Sequence, residues 1–566
     1  MSNENAGNPD VLNFPRDTTV LRIAMASEER NRILREHYGL DPLSQMDGTP
    51  GKYKKLMKKF FDDRKGGPFT LTGISNDWYT ITRADWHGWT DFLYTGASAG
   101  TKGGDNANKT CVASTNTVAG QDDYAGNPLF VPVDCIWEKD PDTLEPVITE
   151  IEGITDGFNR YDPTKFVGVL QQSAWVYQTE GAESWRFGYS SEFVDGTAAE
   201  PLPEARKAGG GVRPWIVHNK YPGKVVNGKW VSYSGIIPTS YSISHNALHT
   251  IGAATGTGIS GTCYCDIDFL RKMAMIKYGS LTLDGILQGC VANNYNGTAQ
   301  VSETGVKRIL LTSTAAAHFE VGMGVLIGTD TDRGHAAAYS ISGNAGCLIT
   351  AIEDVTVSET DYKAIYVDVT TAFDTTAETT IISTFFWPAG TCDKVLGNDG
   401  SPANPGSGVY PAKLQGIEFG HGGLIALADT IQSYTQEDGT YYHQLYFVNK
   451  TADQTNTLTA NYKPSGVKLV QPGSDGQNYI KHMKLKNGVF VPSEYGGSSS
   501  TYFKDSNYLK HDTIGLYEYL AVGHLIHGTA SGGVSYANLL YGLTSAYWYI
   551  LGGPSPNGDR GGEWAA

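Results

Sequence analysis

The side chains that most often carry catalysis are present in this chain, but few of them occur in a pattern that catalysis requires. One G-x-S-x-G match, residues 96–100, places Ser98 where a nucleophile elbow would hold it. Such an elbow needs a strand before the serine and a helix after it, whereas the run TKGGDNANK that follows is typical of a loop. We therefore predict a chance match in a turn and assign no catalytic residue.

Histidines and carboxylates give no recognisable acid–base or metal pattern, because the chain has neither an H-E-x-x-H motif nor a P-loop. We predict structural or surface roles for four histidines: His421, His443, His511 and His524. Asp399, Glu418 and Asp429 are candidates for a carboxylate cluster, with exposed turns as the default interpretation. Seven cysteines without framework spacing predict reduced, mostly buried thiols: Cys111, Cys135, Cys263, Cys265, Cys290, Cys347 and Cys392.

A charge-free stretch near the C-terminus is the strongest local anomaly. Residues 523–558 contain no Lys, Arg, Asp or Glu, although 18% of the whole chain is charged. Gly, Ser, Asn, His and Pro interrupt the stretch too often for a membrane span, which needs about 20 predominantly apolar residues. Tyr, Ser, Gly and Asn are the residues that binding loops use. A Gly-rich, β-rich core segment explains the composition equally well.

Ten residues in this stretch and just after it follow the pattern G-x-x-x-x-G…G-L-x-x-x-x-W-x-I, which ends in N-G-x-R-G and which we call the frame. The frame residues are Gly523, Gly528, Gly542, Leu543, Trp548, Ile550, Asn557, Gly558, Arg560 and Gly561. This frame resembles the variable region of proteins diversified by retroelements, such as the phage major-tropism-determinant group and gut-prophage receptor-binding proteins. The motif D-F-L-R-K-M-x-x-I-K-Y, residues 268–278, carries the same resemblance further upstream.

The resemblance implies that a reverse transcriptase mutates adenines in the coding segment. The reachable residue set lacks Lys, Gln, Glu, Met and Trp, and every residue of the stretch except Trp548 lies inside that set. Gly523, Gly528, Gly542, Trp548 and Ile550 are then scaffold. The implied ligand contacts are His524, Leu525, Ile526, His527, Ser531, Ser535, Asn538, Leu539, Leu540, Tyr541, Ser545, Tyr547 and Tyr549.

The resemblance also implies a fold, a location and partners. The expected fold is α+β but β-rich, with a C-terminal C-type-lectin (formylglycine-enzyme-like) domain. The expected protein is a homotrimer on a phage tail or capsid surface, assembled in the host cytoplasm, that binds a bacterial protein or glycan and contacts other virion proteins. We expect no cofactor. The calcium motifs of sugar-binding lectins are absent, although a structural calcium ion is compatible with the sequence.

Two other functions compete with receptor binding. A non-catalytic structural virion or tail protein would use the Gly- and Tyr-rich end for packing alone. An enzyme of the formylglycine-generating type is the weaker alternative, because that family uses a cysteine pair in its C-terminal part and no cysteine follows Cys392. The net charge of −16 disfavours a nucleic-acid partner, and no apolar run suggests a membrane segment or a signal peptide.

The elements that would position the site are mainly strands. Four helices are predicted, over residues 27–39, 52–63, 266–278 and 286–290. Runs rich in β-branched residues over 299–395 predict an inserted β-barrel or sandwich, and residues 415–418 and 424–431 are interpreted as paired strands. The predicted domains are 1–145 for oligomerisation and virion attachment, 146–298 with 396–566 as the lectin-like domain, 299–395 as the insertion, and 523–550 as the variable segment.

Overall fold

The computed structural model describes residues 68–71, 79–82, 85–239, 243–290, 295–329, 340–343, 345–523 and 533–562. The helices predicted over 27–39 and 52–63 lie outside these residues. The described chain is β-rich and carries three α-helices: α1 (His245–Thr255), α2 (Tyr264–Met273) and α3 (Ser313–Ala316). None of its helices is long and apolar enough to cross a membrane.

The first part of the chain forms antiparallel sheets. A hairpin joins β1 (Pro68–Leu71) and β2 (Tyr79–Thr82). A five-stranded sheet in the order β10-β8-β9-β3-β4 uses β3 (His87–Leu93), β4 (Thr101–Gly104), β8 (Trp175–Glu180), β9 (Ser184–Ser190) and β10 (Glu200–Pro201). A four-stranded sheet in the order β11-β7-β5-β6 uses β5 (Val133–Lys139), β6 (Pro146–Ile151), β7 (Phe166–Gln172) and β11 (Trp215–Asn219). A second hairpin joins β12 (Lys224–Val226) and β13 (Lys229–Val231).

Residues 296–384 form a separate six-stranded sheet inside the range expected for an insertion. Its order is β15-β22-β18-β19-β20-β17, from β15 (Asn296–Thr298), β17 (Arg308–Leu311), β18 (Gly324–Gly328), β19 (Cys347–Val357), β20 (Thr360–Val367) and β22 (Ile381–Thr384). The two edges approach each other, since Gln300 N donates to Leu310 O at 2.9 Å. The sheet is therefore a nearly closed barrel, and β16 (Glu303–Val306) pairs with β21 (Phe373–Thr375) beside it. The barrel has its own apolar core, which includes Ile309, Val325 and Ile365.

The C-terminal part of the chain is organised by a nine-stranded sheet. Its path is β27-β26-β25-β31-β32-β30-β28-β29, and β33 pairs with β25 outside this path. The strands are β25 (Leu424–Glu437), β26 (Thr440–Phe447), β27 (Lys463–Val470), β28 (Gly476–Lys486), β29 (Val489–Tyr495), β30 (Ser506–Leu509), β31 (Gly515–Gly523), β32 (Gly533–Asn538) and β33 (Ile550–Leu551). The short strands β14 (Ser260–Gly261) and β34 (Pro554–Ser555) pair with each other.

Three local predictions need correction. Residues 415–418 do not pair with 424–431, because β23 (Ala412–Leu414) and β24 (Ile417–Phe419) form their own hairpin with Gln415 and Gly416 as its turn. Residues 286–290 are not helical: a turn over residues 284–286 contains Gly285 with a φ of 71°, and residues 288–290 are irregular. Helix α1 was missed, although Ser244 caps it by accepting a hydrogen bond from Ala247 N.

The predicted helix over residues 266–278 is the centre of the main core. It begins two residues earlier, at Tyr264, and continues beyond Met273 as a π-helical turn, Ala274–Tyr278. Phe269 and Met273 pack in the same core as Phe92 from β3 and Leu427 from β25. The described residues 85–145 therefore share one core with the C-terminal sheet, and the boundary predicted at residue 145 does not coincide with a break in packing.

Candidate ligand-binding site

The C-terminal stretch enters the site through β32. This strand lies between β31, to which it is antiparallel, and β30, to which it is parallel. Helix α2 packs against it, and Arg271 of that helix donates from Nε to Ser535 Oγ at 3.1 Å and from Nη2 to Val534 O at 3.2 Å. A strand that is paired on both edges and covered by a helix presents few side chains to solvent.

Main-chain hydrogen bonds hold the segment that follows β32. Glu518 N donates to Tyr541 O at 2.9 Å, Asn246 N donates to Leu543 O at 3.0 Å, and Leu424 N donates to Tyr549 O at 2.7 Å. The donors belong to β31, α1 and β25. The path of residues 541–549 is therefore fixed by backbone contacts that do not depend on the side chains at these positions.

Three tyrosines on this segment form a cluster, which we call the tyrosine site: Tyr541, Tyr547 and Tyr549. The rings of Tyr547 and Tyr549 are stacked, with centroids 5.4 Å apart and planes within 3°. Tyr541 lies 4.8 Å from Tyr547 by ring centroids, and its hydroxyl is 2.5 Å from that of Tyr549. Tyr547 is 41% exposed. Aromatic surfaces with polar tips provide large contact area at a small cost in conformational entropy.

The cluster rests on an apolar support. Trp548 is partly buried against Leu551 and against Phe385 and Phe386, which follow the last barrel strand. Tyr541 and Tyr549 pack on the cluster that contains Leu424 and Ile550. The inserted barrel and the C-terminal sheet therefore both support the back of the tyrosine site.

A buried carboxyl group lies behind the tyrosine site. Glu518 is fully buried, and its Oε2 accepts a hydrogen bond from His245 N at 2.9 Å. Burial raises the pKa of Glu518 well above its ordinary value, and the single backbone hydrogen bond offsets only part of this. The pKa of Tyr541 is also raised, mainly by burial. Burial therefore disfavours the ionised forms of both side chains.

The structure divides the predicted contact residues into three groups. His524, Leu525, Ile526, His527 and Ser531, together with the scaffold residue Gly528, lie outside the described residues. Ser535, Asn538 and Leu539 are buried, and we correct their assignment: Ser535 bonds to Arg271, Asn538 Oδ1 accepts from Leu540 N, and Leu539 belongs to the main core. The residues that are at least partly accessible are Leu540, Tyr541, Ser545, Tyr547 and Tyr549.

The predicted scaffold residues that are described have packing or backbone roles. Leu543 and Ile550 are buried, and Gly542 forms an antiparallel bridge with Tyr517. Gly523 ends β31, where it pairs with Gly533.

Residues 554–560 are all buried and form an anchor. The sequence placed Asn557, Gly558 and Arg560 in the frame but did not predict this anchoring role. Arg560 donates from Nη2 to Asp429 Oδ2 at 2.8 Å and from Nη1 to Asn557 O at 2.7 Å. Asn557 Nδ2 and Ser555 Oγ donate to Asp266 at the start of α2. The sequence contains one signal of this anchor: Asp559 and Arg560 directly follow the charge-free stretch. Charged residues in an otherwise uncharged, buried region need partners, which these two find in the folded protein.

The catalytic candidates do not assemble. Ser98 is followed by the strand β4 and not by a helix, and its hydroxyl donates to Tyr502 O at 2.5 Å. His421 Nδ1 lies 3.0 Å from Trp387 O, and burial lowers the pKa of His443 to about 4. His511 Nδ1 lies 2.7 Å from Pro472 O, and His524 lies outside the described residues.

The three candidate carboxylates also belong to different networks. Asp399 faces Lys277, Glu418 accepts from the backbone nitrogen of Gly390 and lies near His421, and Asp429 pairs with Arg560. Within the described ranges, one group has metal-ligand spacing: Cys111, Asp122 and Asp399. The ammonium group of Lys277 lies 2.6 Å from Asp399 and 3.2 Å from Asp122, so positive charge already lies between the two carboxylates.

Comparison with known proteins adds no family assignment: no protein-family model matches the chain, and no curated protein matches it.

Proposed function

We propose that this chain is a phage or prophage-encoded receptor-binding protein with a C-type-lectin fold. Its variable segment, residues 523–550, would be diversified by a retroelement and would bind a protein or glycan on the bacterial surface. One observation carries the proposal: the backbone of residues 541–549 is held by hydrogen bonds from three separate elements, while Tyr547 and its neighbours remain partly accessible.

A diversified binding site has two requirements that ordinarily conflict. Its side chains must change freely, and its backbone must stay in place so that binding does not lose entropy in ordering the loop. Backbone donors from Glu518, Asn246 and Leu424 meet the second requirement without using the side chains of the segment. The stacked tyrosines at these positions supply contact area that suits many binding partners.

The proposal extends to assembly and location. A single site of this size is expected to bind weakly, and a homotrimer on a virion would raise the affinity through avidity. Residues 1–145 would then serve attachment and oligomerisation. A non-catalytic structural virion protein is the alternative, and the packing of Ser535 and Leu539 into the core is the observation that favours it.

The test is a binding experiment with fluorescently labelled full-length protein on a panel of intact bacterial cells. The variant Tyr541→Ala/Tyr547→Ala/Tyr549→Ala is compared with Thr544→Ala, because Thr544 is exposed on the same segment and lies outside the cluster. We expect the triple variant to lose binding and the control to keep it. Equal binding by both proteins would overturn the assignment of the tyrosine site.

A further inference from the structure

A buried lysine lies between two carboxyl groups at the end of helix α2. Lys277 belongs to the π-helical turn that continues this helix, and its side chain is fully enclosed. Its Nζ lies 2.6 Å from Asp399 Oδ2 and 3.2 Å from Asp122 Oδ2. The Asp399 side chain is only 2% exposed, so the amine and the carboxyl group meet away from bulk water.

The carboxyl group of Asp399 is held by several donors besides the lysine. Cys111 Sγ and the Tyr278 hydroxyl donate to Oδ2 at 3.1 and 3.3 Å. Gln415 N donates to Oδ1 at 2.7 Å. These contacts fix the orientation of the carboxyl carbon relative to Nζ, and donors aimed at its oxygens would stabilise negative charge that develops there during an attack.

The second carboxyl group is placed to carry protons. Burial raises the pKa of Asp122, Lys277 opposes this, and the charge of Asp399 raises it further. Asp122 therefore accepts a proton more readily than an ordinary carboxyl group, and its Oδ2 lies 3.2 Å from Lys277 Nζ. Its side chain is 17% exposed, in contrast to the enclosed Lys277, so water released at the cluster has a route to solvent.

We propose that Lys277 and Asp399 condense into an intramolecular isopeptide bond, with Asp122 as the proton carrier. The bond between Nζ and Cγ of Asp399 forms, and the bond from Cγ to Oδ2 breaks. The ammonium and carboxylate groups become one neutral amide and one water molecule. The two protons on the departing oxygen come from Nζ, directly or through Asp122, which ends the reaction in the state in which it began.

The starting state of the pair sets the barrier of this reaction. Burial lowers the pKa of Lys277, but the charges of Asp399 and Asp122 outweigh burial and raise it. The two groups therefore begin as an ion pair, and a proton must leave Nζ before the amine can attack. The fixed geometry offsets this cost, because groups held in contact react with a very high effective concentration.

The position of the bond gives it a structural purpose. Lys277 precedes the inserted barrel and Asp399 follows it, so the bond would join the two ends of the insertion, residues 296–384. Asp122 comes from the long loop after β4, which is held to the same place by Tyr124, whose hydroxyl donates to Ile276 O at 3.0 Å. A covalent link of this kind restricts the unfolded chain as a disulfide does, and it needs no oxidising compartment.

The test is intact-mass measurement of the purified, denatured full-length protein, with allowance for removal of the initiator methionine. We expect a mass lower than that of the sequence by one water molecule, and a tryptic species in which the peptides of Lys277 and Asp399 are joined. Lys277→Arg should restore the mass expected from its sequence.

A second variant separates chemistry from folding. Asp122→Asn keeps the shape of the side chain but cannot carry the proton, and it should yield folded protein, by circular dichroism, without the link. A wild-type protein with the full sequence mass and separate Lys277 and Asp399 peptides would overturn the proposal, and that result does not depend on any variant folding. A linked Asp122→Asn protein would overturn the role given to Asp122.

Discussion

Between residues 541 and 549 main-chain hydrogen bonds hold the segment in place, whereas between residues 554 and 560 buried side-chain contacts add to main-chain pairing. Backbone groups of β31, α1 and β25 fix the first segment, and Tyr547 on it is substantially exposed. The second segment is buried throughout, and Arg560 is bonded to Asp429 and Asn557. The exposed side chains of the first segment, such as Tyr547, can therefore change at small cost in stability, whereas the buried side chains of the second cannot.

Loss of the anchor should have the largest effect. Arg560→Ala would leave Asp429 buried without its partner, and removal of one member of a buried pair costs about 3–5 kcal/mol. We expect a decrease of this size in the free energy of unfolding, measured by urea denaturation. A decrease below about 1 kcal/mol, the size of a surface ion pair, would show that the second segment is not an anchor.

Removal of the support behind the tyrosine site should have an intermediate effect. Trp548 is only partly buried against Leu551, Phe385 and Phe386, so Trp548→Ala should cost about 2 kcal/mol, less than a fully buried tryptophan. Urea denaturation measures this effect, and Thr544→Ala is the matched exposed control. If the two variants lose the same stability, the barrel does not support the site.

The buried carboxyl group gives a pH test of the frame. The pKa of Glu518 is raised in the folded protein. Between the ordinary pKa of 4.5 and this raised value, the folded protein therefore binds more protons than the unfolded chain, and the free energy of unfolding falls as pH rises. Glu518→Gln should remove this loss, so the variant should match the wild type near about pH 4 and exceed it in stability near about pH 8. Thermal unfolding across this range provides the measurement. A difference in stability between the two proteins that does not change with pH would contradict a raised pKa for Glu518.

Substitution within the tyrosine site should have the smallest effect on stability. We expect Tyr547→Ala to change the free energy of unfolding by about 0.5 kcal/mol or less, as at most surface positions, while it weakens binding to cells that the wild-type protein recognises. A loss of stability as large as that of Trp548→Ala would show that Tyr547 has a structural role. It would then contradict the contrast between residues 541–549 and residues 554–560.

The sequence predicted the elements that periodicity encodes. Helix α2 was identified from the spacing of Phe269, Met273 and Ile276, and the barrel strands from runs of β-branched residues. Helix α1 was missed because His, Thr and Gly within it weaken the helical pattern, even though Ser244 provides a cap. Two apolar residues within 286–290 suggest a helix, but Gly285 adopts a φ of 71° in the turn before them.

The site was only partly predictable for a different reason. Composition identified the stretch and the family resemblance implied the frame, but neither could show which side chains face inward. Ser535 and Asn538 resemble binding-loop residues, yet β32 lies in the interior of a sheet under α2, where Arg271 uses Ser535 as a partner. That contact joins residues far apart in the chain, and no local pattern contains it.

The most direct test of the central claim is to sequence the DNA beside the gene. We expect a near-copy of the segment that encodes residues 523–558, different only at adenines, next to a reverse-transcriptase gene. The differing codons should include those of Tyr541, Tyr547 and Tyr549 and should exclude those of Trp548 and Ile550. The absence of such a copy, or differences spread equally over both segments, would contradict a fixed frame that carries diversified side chains.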